Sequence, residues 1–469
     1  MSTTRDTSFA AVMARRAEIM EAATGIDYPA FERGGFAFDY EALIHTVGYD
    51  LPSVTAIQAE AGVGATPMLE LRRLTALARS IAEPGRGARI LLKDEAANPS
   101  GSFKDRRAAL AIHEAAQRGY RGVVAATSGN YGAAVASRAA ARGLDCIVVQ
   151  EVFDSRGVGQ PEIIEKARKC EALGAEVLQV TVGPELFYLM LVVLEETGFF
   201  SASLYSPYAV AGIATLGAEV CDQARHMTGR DPDAVVVTHA GGGNVTGTAL
   251  GLAARGCAAR VVAASVDLTG LSMASDHDFN RKSFTTGHTG FGIPFAMNPD
   301  RVDVPRNAAR PLRFINRYLL VRQGEVFYMT ELLARLEGLE RGPAGNTSLA
   351  AAFALSLEMD EDQVIVVQES EYTGAGKHPT SQLTFARSQG IRVERGDPAD
   401  EVPGESIIIP DDPARLRPRD LDLDTVRRSY LRNVAGTRPH PDQAEMAYLA
   451  AETRWSQERV ATELAALAS

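Results

Sequence analysis

Residues 122–132 read G-V-V-A-A-T-S-G-N-Y-G, and the rest of the chain is parsed from them. The apolar run 122–126 predicts a strand, and the alanine-rich stretch 131–142 predicts a helix. Between them lies a small polar turn of Thr127, Ser128, Gly129 and Asn130. A strand that passes through such a turn into a helix is the repeating unit of a parallel sheet covered by helices.

The same alternation extends in both directions. Upstream, 88–93 predicts a strand and 105–118 a helix. Downstream come a strand over 146–150, a helix over 161–173, a strand over 176–181 and a helix over 184–197. Pro161 suits a first helical turn and Gly174 a stop. A second series holds a helix over 213–227, a strand over 234–238, a glycine cluster, a helix to 254 and a strand over 261–266. Helices over 327–338 and 346–358 and a strand over 364–368 complete it. The fold class predicted is α/β, with two open parallel-sheet domains and a site between them. Residues 1–104 with 205–403 are expected to form a large domain, and 105–204 a smaller one. After about 403, prolines punctuate a charged stretch that precedes two helical patterns, so 404–469 is expected to be a small helical appendage. Regular patterning lapses over 268–312, which contains S-F-T-T-G-H-T-G-F-G-I-P-F; an ordered loop near the cleft is expected there.

Composition narrows the function. The chain has 469 residues, 46% of them hydrophobic and 23% charged, with a formal net charge of −11. That balance belongs to a soluble globular protein and argues against a basic footprint for nucleic acid or anionic membrane. No stretch approaches the ~20 apolar residues of a membrane span. The first sixteen residues are polar, so no signal peptide is expected there. The four cysteines, Cys146, Cys170, Cys221 and Cys257, form no C-x-x-C pair. Cys170 and Cys221 fall in helical patterns and are expected to be buried, in a reducing cytoplasm and with no metal site.

Four segments carry candidate chemistry. In N-P-S-G-S-F-K-D-R, residues 98–106, Lys104 falls at a helix start. The helix dipole and burial in a cleft both favour its neutral amine, the form that makes a Schiff base. In T-S-G-N-Y-G, the amides before the helix suit a carboxylate or phosphate, and Ser128 and Asn130 can add hydrogen bonds. In A-G-G-G-N-V-T-G-T, residues 240–248, Gly241, Gly242 and Gly243 let the backbone wrap an anion, next to Asn244 and Thr246. No G-K-[ST] follows, so this is not a P-loop. A dinucleotide reading would use Gly241, Gly243, Gly247 and Asp267, but the spacing is one residue too long and Lys104 stays unexplained. In V-I-V-V-Q-E-S-E-Y-T-G-A-G-K, residues 364–377, Glu369, Ser370 or Thr373 could meet a heteroaromatic nitrogen beyond the end of a strand.

Taken in order, Thr66-Pro67, Lys104, Ser128-Gly129-Asn130, the glycine loop 241–246 and Thr373 resemble the threonine-synthase-like group of fold-type II enzymes, related to the tryptophan synthase beta chain. The resemblance implies pyridoxal 5′-phosphate as cofactor, with Lys104 as its Schiff-base partner and Asn130 on its phenolic oxygen. It also implies that the glycine loop holds the phosphate, and that Thr127, Ser128 and Gly129 hold the substrate carboxylate. T-G-A-G-K is similar to a threonine synthase segment and favours Thr373 at the ring nitrogen. Counting from the strand end favours Glu369 or Ser370.

Further segments resemble a family of thiolase beta subunits that act on 2-amino-4-oxopentanoate in ornithine degradation. They include R-D-T-S-F-A-A-V-M-A-R (5–15), G-V-G-Q-P-E-I-I-E-K-A-R-K-C-E-A-L-G-A-E (157–176) and E-R-G-P-A-G-N-T-S-L-A-A-A-F-A-L (340–355). That resemblance implies coenzyme A as cosubstrate and a small alpha subunit as partner, with a homodimer of this chain inside the hetero-oligomer. It implies acetyl-coenzyme A and alanine as products, formed without an acyl-cysteine. His288 in the irregular loop is a candidate acid or base near the substrate. A lone threonine synthase or ammonia-lyase is the competing expectation.

Overall fold

The fully apolar runs become the central strands of two sheets. The computed structural model describes residues 5–127, 129–153, 157–159, 161–181, 185–203, 206–239, 242–267, 311–372, 379–435 and 440–468. Its strands are β1 (Met68–Glu70), β2 (Arg89–Asp94), β3 (Gly122–Thr127), β4 (Asp145–Phe153), β5 (Glu176–Thr181), β6 (Phe200–Ser201), β7 (Ala234–Thr238), β8 (Arg260–Val266), β9 (Arg317–Val321), β10 (Val364–Glu369), β11 (Arg392–Gly396), β12 (Ser406–Pro410) and β13 (Arg419–Asp420). The larger sheet runs in the order β1-β2-β10-β7-β8-β9-β13, the smaller in the order β5-β4-β3-β6, and β11 pairs with β12 alone. The edge strands β1 and β13 pair antiparallel with their neighbours. The inner strands of the larger sheet are parallel, as is the whole smaller sheet.

Burial on both faces explains the unbroken apolar runs. In β10, Ile365 and Val367 enter the core on one face, while Val364 and Val366 enter the core on the other. β7 splits likewise, with Ala234 and Val236 opposite Val235 and Val237. Strand side chains alternate, so a buried parallel strand needs apolar residues at every position.

The ends of the chain lie elsewhere than expected. Sequence patterning predicts no element before residue 88, yet helices span Phe9–Ala14, Arg16–Thr24, Tyr40–Thr46 and Leu51–Glu60. Their Ile19, Met20, Tyr40 and Val54 share one core with Val124 and Ala125 of β3. The N-terminal segment therefore packs with the smaller sheet rather than the larger. The expected boundary at 404 falls between the paired strands β11 and β12. The tail is not purely helical either: β12 puts Ile407 and Ile409 into the larger sheet's core, and β13 joins that sheet. Its helices begin at Leu423 and return Tyr430, Leu431, Leu449 and Trp455 to the core of the smaller sheet. These helices close a shared core, which a detached appendage would leave open.

Two features fix the elements that carry the candidate site. The helices Pro207–Thr228 and Gly243–Ala254 meet backbone to backbone. A β-carbon on Gly217 would lie 2.1 Å from the Thr248 carbonyl oxygen, and one on Gly251 1.9 Å from that of Ala214. Beside them, Arg106 is fully buried in the helix Lys104–Gln117. Its guanidinium donates to Glu95 at 2.7 and 2.8 Å, to Glu219 at 2.7 and 2.9 Å, and to Thr215 at 3.1 Å. Buried Lys93 donates to the same Glu219 at 2.7 Å, to Gln223 at 2.9 Å and to the Thr66 carbonyl at 2.7 Å. Two cations thus face two carboxylates. Burial pushes the Glu219 carboxyl up, but the hydrogen bonds and charge of Arg106 overcome it and hold the group down at about 2. Glu95 is likewise held below its ordinary range against its own burial, chiefly by the charge of Arg106.

Breaking one side of this cage leaves a buried charge without its counterion. Glu95→Gln is expected to cost about 3–5 kcal/mol in urea unfolding at neutral pH. Both carboxyls are depressed in the folded chain, so their stabilisation is present above the unfolded value of 4.5 and is lost as pH falls toward about 2. The gap between wild type and variant should therefore close in acid. A gap that stays constant from pH 7 to pH 3 would contradict the cage.

Candidate active site

Lys104 is placed by a loop laced to the far end of β10. From β2 the chain passes through a short helical turn, Glu95–Ala97, into the N-P-S-G-S loop. Gly101 adopts a φ of +82°, and a β-carbon there would meet the Tyr372 carbonyl oxygen at 2.7 Å. The Tyr372 amide donates to the Gly101 carbonyl at 2.8 Å, and the Phe103 amide to that of Ser370 at 3.1 Å. Lys104 then opens its helix, half-buried, with Nζ 3.8 Å from the centroid of the Phe103 ring. The next residue, Asp105, accepts from the Ser100 amide at 2.6 Å, and burial pushes its carboxyl up.

The glycine loop faces the same helix. Gly242 takes a φ of +90° and caps the helix that starts at Gly243. Asn244 and Thr246 are buried in its first turn. Asn244 donates to Gln368 of β10 at 3.0 Å, while its Oδ1 is buried without a hydrogen-bond partner among the described residues. A β-carbon on Gly243 would lie 2.6 Å from an Arg107 guanidinium nitrogen. The glycine therefore makes room for a cation directly over a helix amino terminus, where an anion is also favoured by the amides. His239, one residue beyond β7, is held neutral near neutral pH: burial takes it down to about 4, and its Nδ1 lies 2.8 Å from the Tyr318 hydroxyl.

The third turn follows β3. Thr127 is buried and its hydroxyl accepts from the Gly129 amide at 3.0 Å. Gly129 caps the helix Asn130–Arg142, whose first residue is half-buried. A β-carbon on Gly129 would lie 2.9 Å from Nζ of Lys166. Lys166 belongs to the helix Pro161–Ala172, as does Lys169, which donates to the Ser100 carbonyl in the lysine loop at 2.7 Å. Residues three apart share a helix face, so one helix ties the S-G-N turn to the lysine loop.

At the end of β10 the two faces part. Gln368 contacts Asn244 and Thr248 on the glycine-helix side. Glu369 turns the other way, where a β-carbon on Gly345 would meet its Oε1. Burial pushes the Glu369 carboxyl well above its ordinary range, and its Oε2 has no hydrogen-bond partner among the described residues. By alternation, buried Ser370 returns to the side of Gln368.

Among the candidates read from sequence, Lys104, Gly242, Gly243, Asn244, Thr246 and Ser370 are joined by these contacts. Thr127, Gly129 and Asn130 connect to them through the Lys166–Lys169 helix. Ser128, Gly241, Thr373 and His288, with the whole loop around it, lie outside the described residues. Asp267, the acid of a dinucleotide reading, is instead paired with Arg419 at 3.0 Å. Arg107 and Lys166 are not singled out by sequence. Their signal was position: Arg107 sits one helical turn after Lys104, and Lys166 sits in the 157–176 segment already quoted.

The profile of the family described as pyridoxal-phosphate dependent enzyme matches residues 59–370. A 2-amino-4-ketopentanoate thiolase beta subunit of Acetoanaerobium sticklandii is 60% identical over 458 residues, covering 97% of this chain and 98% of its own. Another of the same description, from an unknown prokaryotic organism, is 63% identical over 92% of this chain and 91% of its own. A threonine synthase of Halalkalibacterium halodurans is 30% identical over 39% of this chain and 47% of its own. Among solved structures, a T.th. threonine deaminase matches with a TM-score of 0.54 at 23% identity, covering 70% of this chain and 99% of its own. Maize serine racemase matches with a TM-score of 0.54 at 21% identity, covering 72% and 97%. Such identities speak for the fold alone, which is fold type II. The chain belongs to the pyridoxal-phosphate-dependent enzyme family, as a fold-type II enzyme that groups with the thiolase beta subunits.

Proposed function

We propose that this chain, with a small alpha subunit, cleaves 2-amino-4-oxopentanoate with coenzyme A to give acetyl-coenzyme A and alanine. One observation carries the reading. Similarity to the thiolase beta subunit of A. sticklandii covers 97% of this chain, whereas similarity to the H. halodurans threonine synthase covers 39%. It thus takes in N-terminal helices and tail that lie outside the family's matched domain, 59–370.

The residues present fit pyridoxal phosphate. Gly243 leaves a space that a side chain would fill, Gly242 takes the positive φ of the turn, and Arg107 supplies a cation beside helix amides that favour an anion. In this reading Gly241, Gly242, Gly243, Asn244 and Thr246 hold the phosphate, with Arg107 as its counterion. Lys104 anchors the cofactor, and Asn130 bonds its phenolic oxygen. Ser370 is favoured over Glu369 at the ring nitrogen, because strand alternation puts Ser370 on the glycine-helix side; Thr373 stays a candidate. Thr127, Ser128 and Gly129 bind the substrate carboxylate, helped by the Lys166 ammonium beside Gly129. His288 serves on the substrate side.

When bound, the cofactor supplies a sink for the electron pair left on substrate carbon. The reaction forms a bond between the coenzyme A sulfur and C4 and breaks C3–C4. The thiol proton of coenzyme A ends on C3, which becomes the alanine methyl group. Lys104 Nζ is the group suited to carry that proton. The chain's own thiols are poor nucleophiles: burial pushes Cys146, Cys170 and Cys221 up to about 12.

Three experiments test this reading. Co-expressed with the alpha subunit, the chain should produce acetyl-coenzyme A and alanine in equal amounts from 2-amino-4-oxopentanoate and coenzyme A. Release of ammonia by the chain alone, without thioester, would instead support a lyase. Lys104→Ala should abolish borohydride fixation of cofactor to the chain, read by mass spectrometry; a reduced adduct on another lysine in the wild type would move the anchor. Arg107→Met should weaken pyridoxal phosphate binding by about 10–100-fold, the range for a lost hydrogen bond to a charged group. Its affinity for unphosphorylated pyridoxal should be unchanged, and an equal loss for both would remove Arg107 from the phosphate.

A further inference from the structure

At the end of β7 opposite the glycine loop, three segments bring soft and hard ligand atoms together. Cys221 lies in the last turns of the helix Pro207–Thr228. Asp231 lies in the turn that leads into β7, and Cys257 follows the helix Gly243–Ala254. The two sulfurs and a carboxylate oxygen of Asp231 all lie within 4.8 Å of one another. Cys221 Sγ is 3.6 Å from Asp231 Oδ1. Cys221 is fully buried, while the other two are half-exposed.

We propose that Cys221, Cys257 and Asp231 form a binding site for a divalent cation of the zinc class, with water at the fourth position. Zinc sits about 2.3 Å from sulfur and about 2.0 Å from oxygen, so tetrahedral ligand atoms stand roughly 3.5–3.8 Å apart. The cluster needs to close by about an ångström at most to meet that spacing. The carboxylate is already oriented: Arg225 donates to Asp231 at 2.5 and 3.3 Å and to the Arg255 carbonyl at 3.1 Å. Ligating carboxylates are typically fixed in this way by an outer hydrogen bond. Charge closes as well. Two thiolates and one carboxylate balance a divalent cation plus the Arg225 guanidinium, and the two thiol protons leave to solvent on binding. A disulfide between the sulfurs would give Asp231 no part, and the acid is what points to a cation. The ion would tie the helix Pro207–Thr228 to the distal ends of the strand and helix whose proximal ends form the glycine turn.

The test uses the full-length chain loaded with pyridoxal phosphate and reduced before titration. Cadmium is the optical probe, because thiolate ligation gives an ultraviolet charge-transfer band. One band-forming equivalent per chain is expected. Cys257→Ser should abolish it, and Asp231→Asn should weaken binding by about tenfold or more. Both positions are half-exposed, and Ser and Asn nearly match Cys and Asp in size, so the local packing is kept. Cys146→Ser, in the other sheet, should retain the band. Zinc should raise Tm in the wild type and not in Cys257→Ser. Absence of the band, its survival in Cys257→Ser, or its loss in Cys146→Ser would overturn the proposal. So would a Cys221–Cys257 disulfide that re-forms in the titrated protein in place of metal uptake.

Discussion

The buried pairing of Arg106 with Glu95 and Glu219 is the constraint on which the rest of the site depends. Arg106 lies two residues beyond Lys104, so the cage fixes the first turn of the lysine helix. Its partners come from the turn after β2 and from the long helix Pro207–Thr228. The long helix is in turn clamped by Gly217 and Gly251 to the helix that starts at the glycine loop. Lysine and loop are thereby referenced to one rigid frame. Desolvation makes such a cage costly to assemble, and equally costly to leave half made. Its value is in register more than in net stability.

That frame resolves the charge of the chain. A net charge of −11 is an odd setting for the phosphate and carboxylate that the proposed function brings to the site. The site answers locally. Three helices begin at polar or glycine turns beyond strand ends, and the amino terminus of a helix favours an anion. Arg107 stands over one amino terminus and Lys166 beside another. Acidic groups farther away than about a Debye length are screened by water and salt.

Legibility of this architecture followed burial. β3, β7 and β10 are enclosed on both faces, and their unbroken apolar runs were plain in the sequence. The turns that hold Lys104, Gly129 and Gly242 were readable because turn chemistry is local. Arg107 and Lys166 were not, since a basic residue inside a helix has the same local signature whether it faces water or a neighbouring turn. β1 and β13 hold three and two residues, too few to show a period. The N-terminal helices were missed because they are short and gain their burial only by joining a core built from distant residues such as Tyr430 and Trp455. Cys221, Asp231 and Cys257 lacked a ligand spacing because the fold, rather than the sequence, brings them together.

The short strands at the margins bear on how this chain meets another. An edge strand exposes a row of backbone donors and acceptors to which a foreign strand can be added. The larger sheet ends in a three-residue strand on one side and, on the other, in the exposed ion-bearing pair Arg419 and Asp420. The smaller sheet ends in a two-residue strand at β6. Each is too brief to template a partner. Among the described residues only β5, six residues long and partly exposed, leaves the two main sheets a margin of ordinary length. Among the described residues the larger sheet's margins are too short to take a further strand, which leaves helices, loops, β5 and the β11–β12 pair as the faces on which a companion could be received.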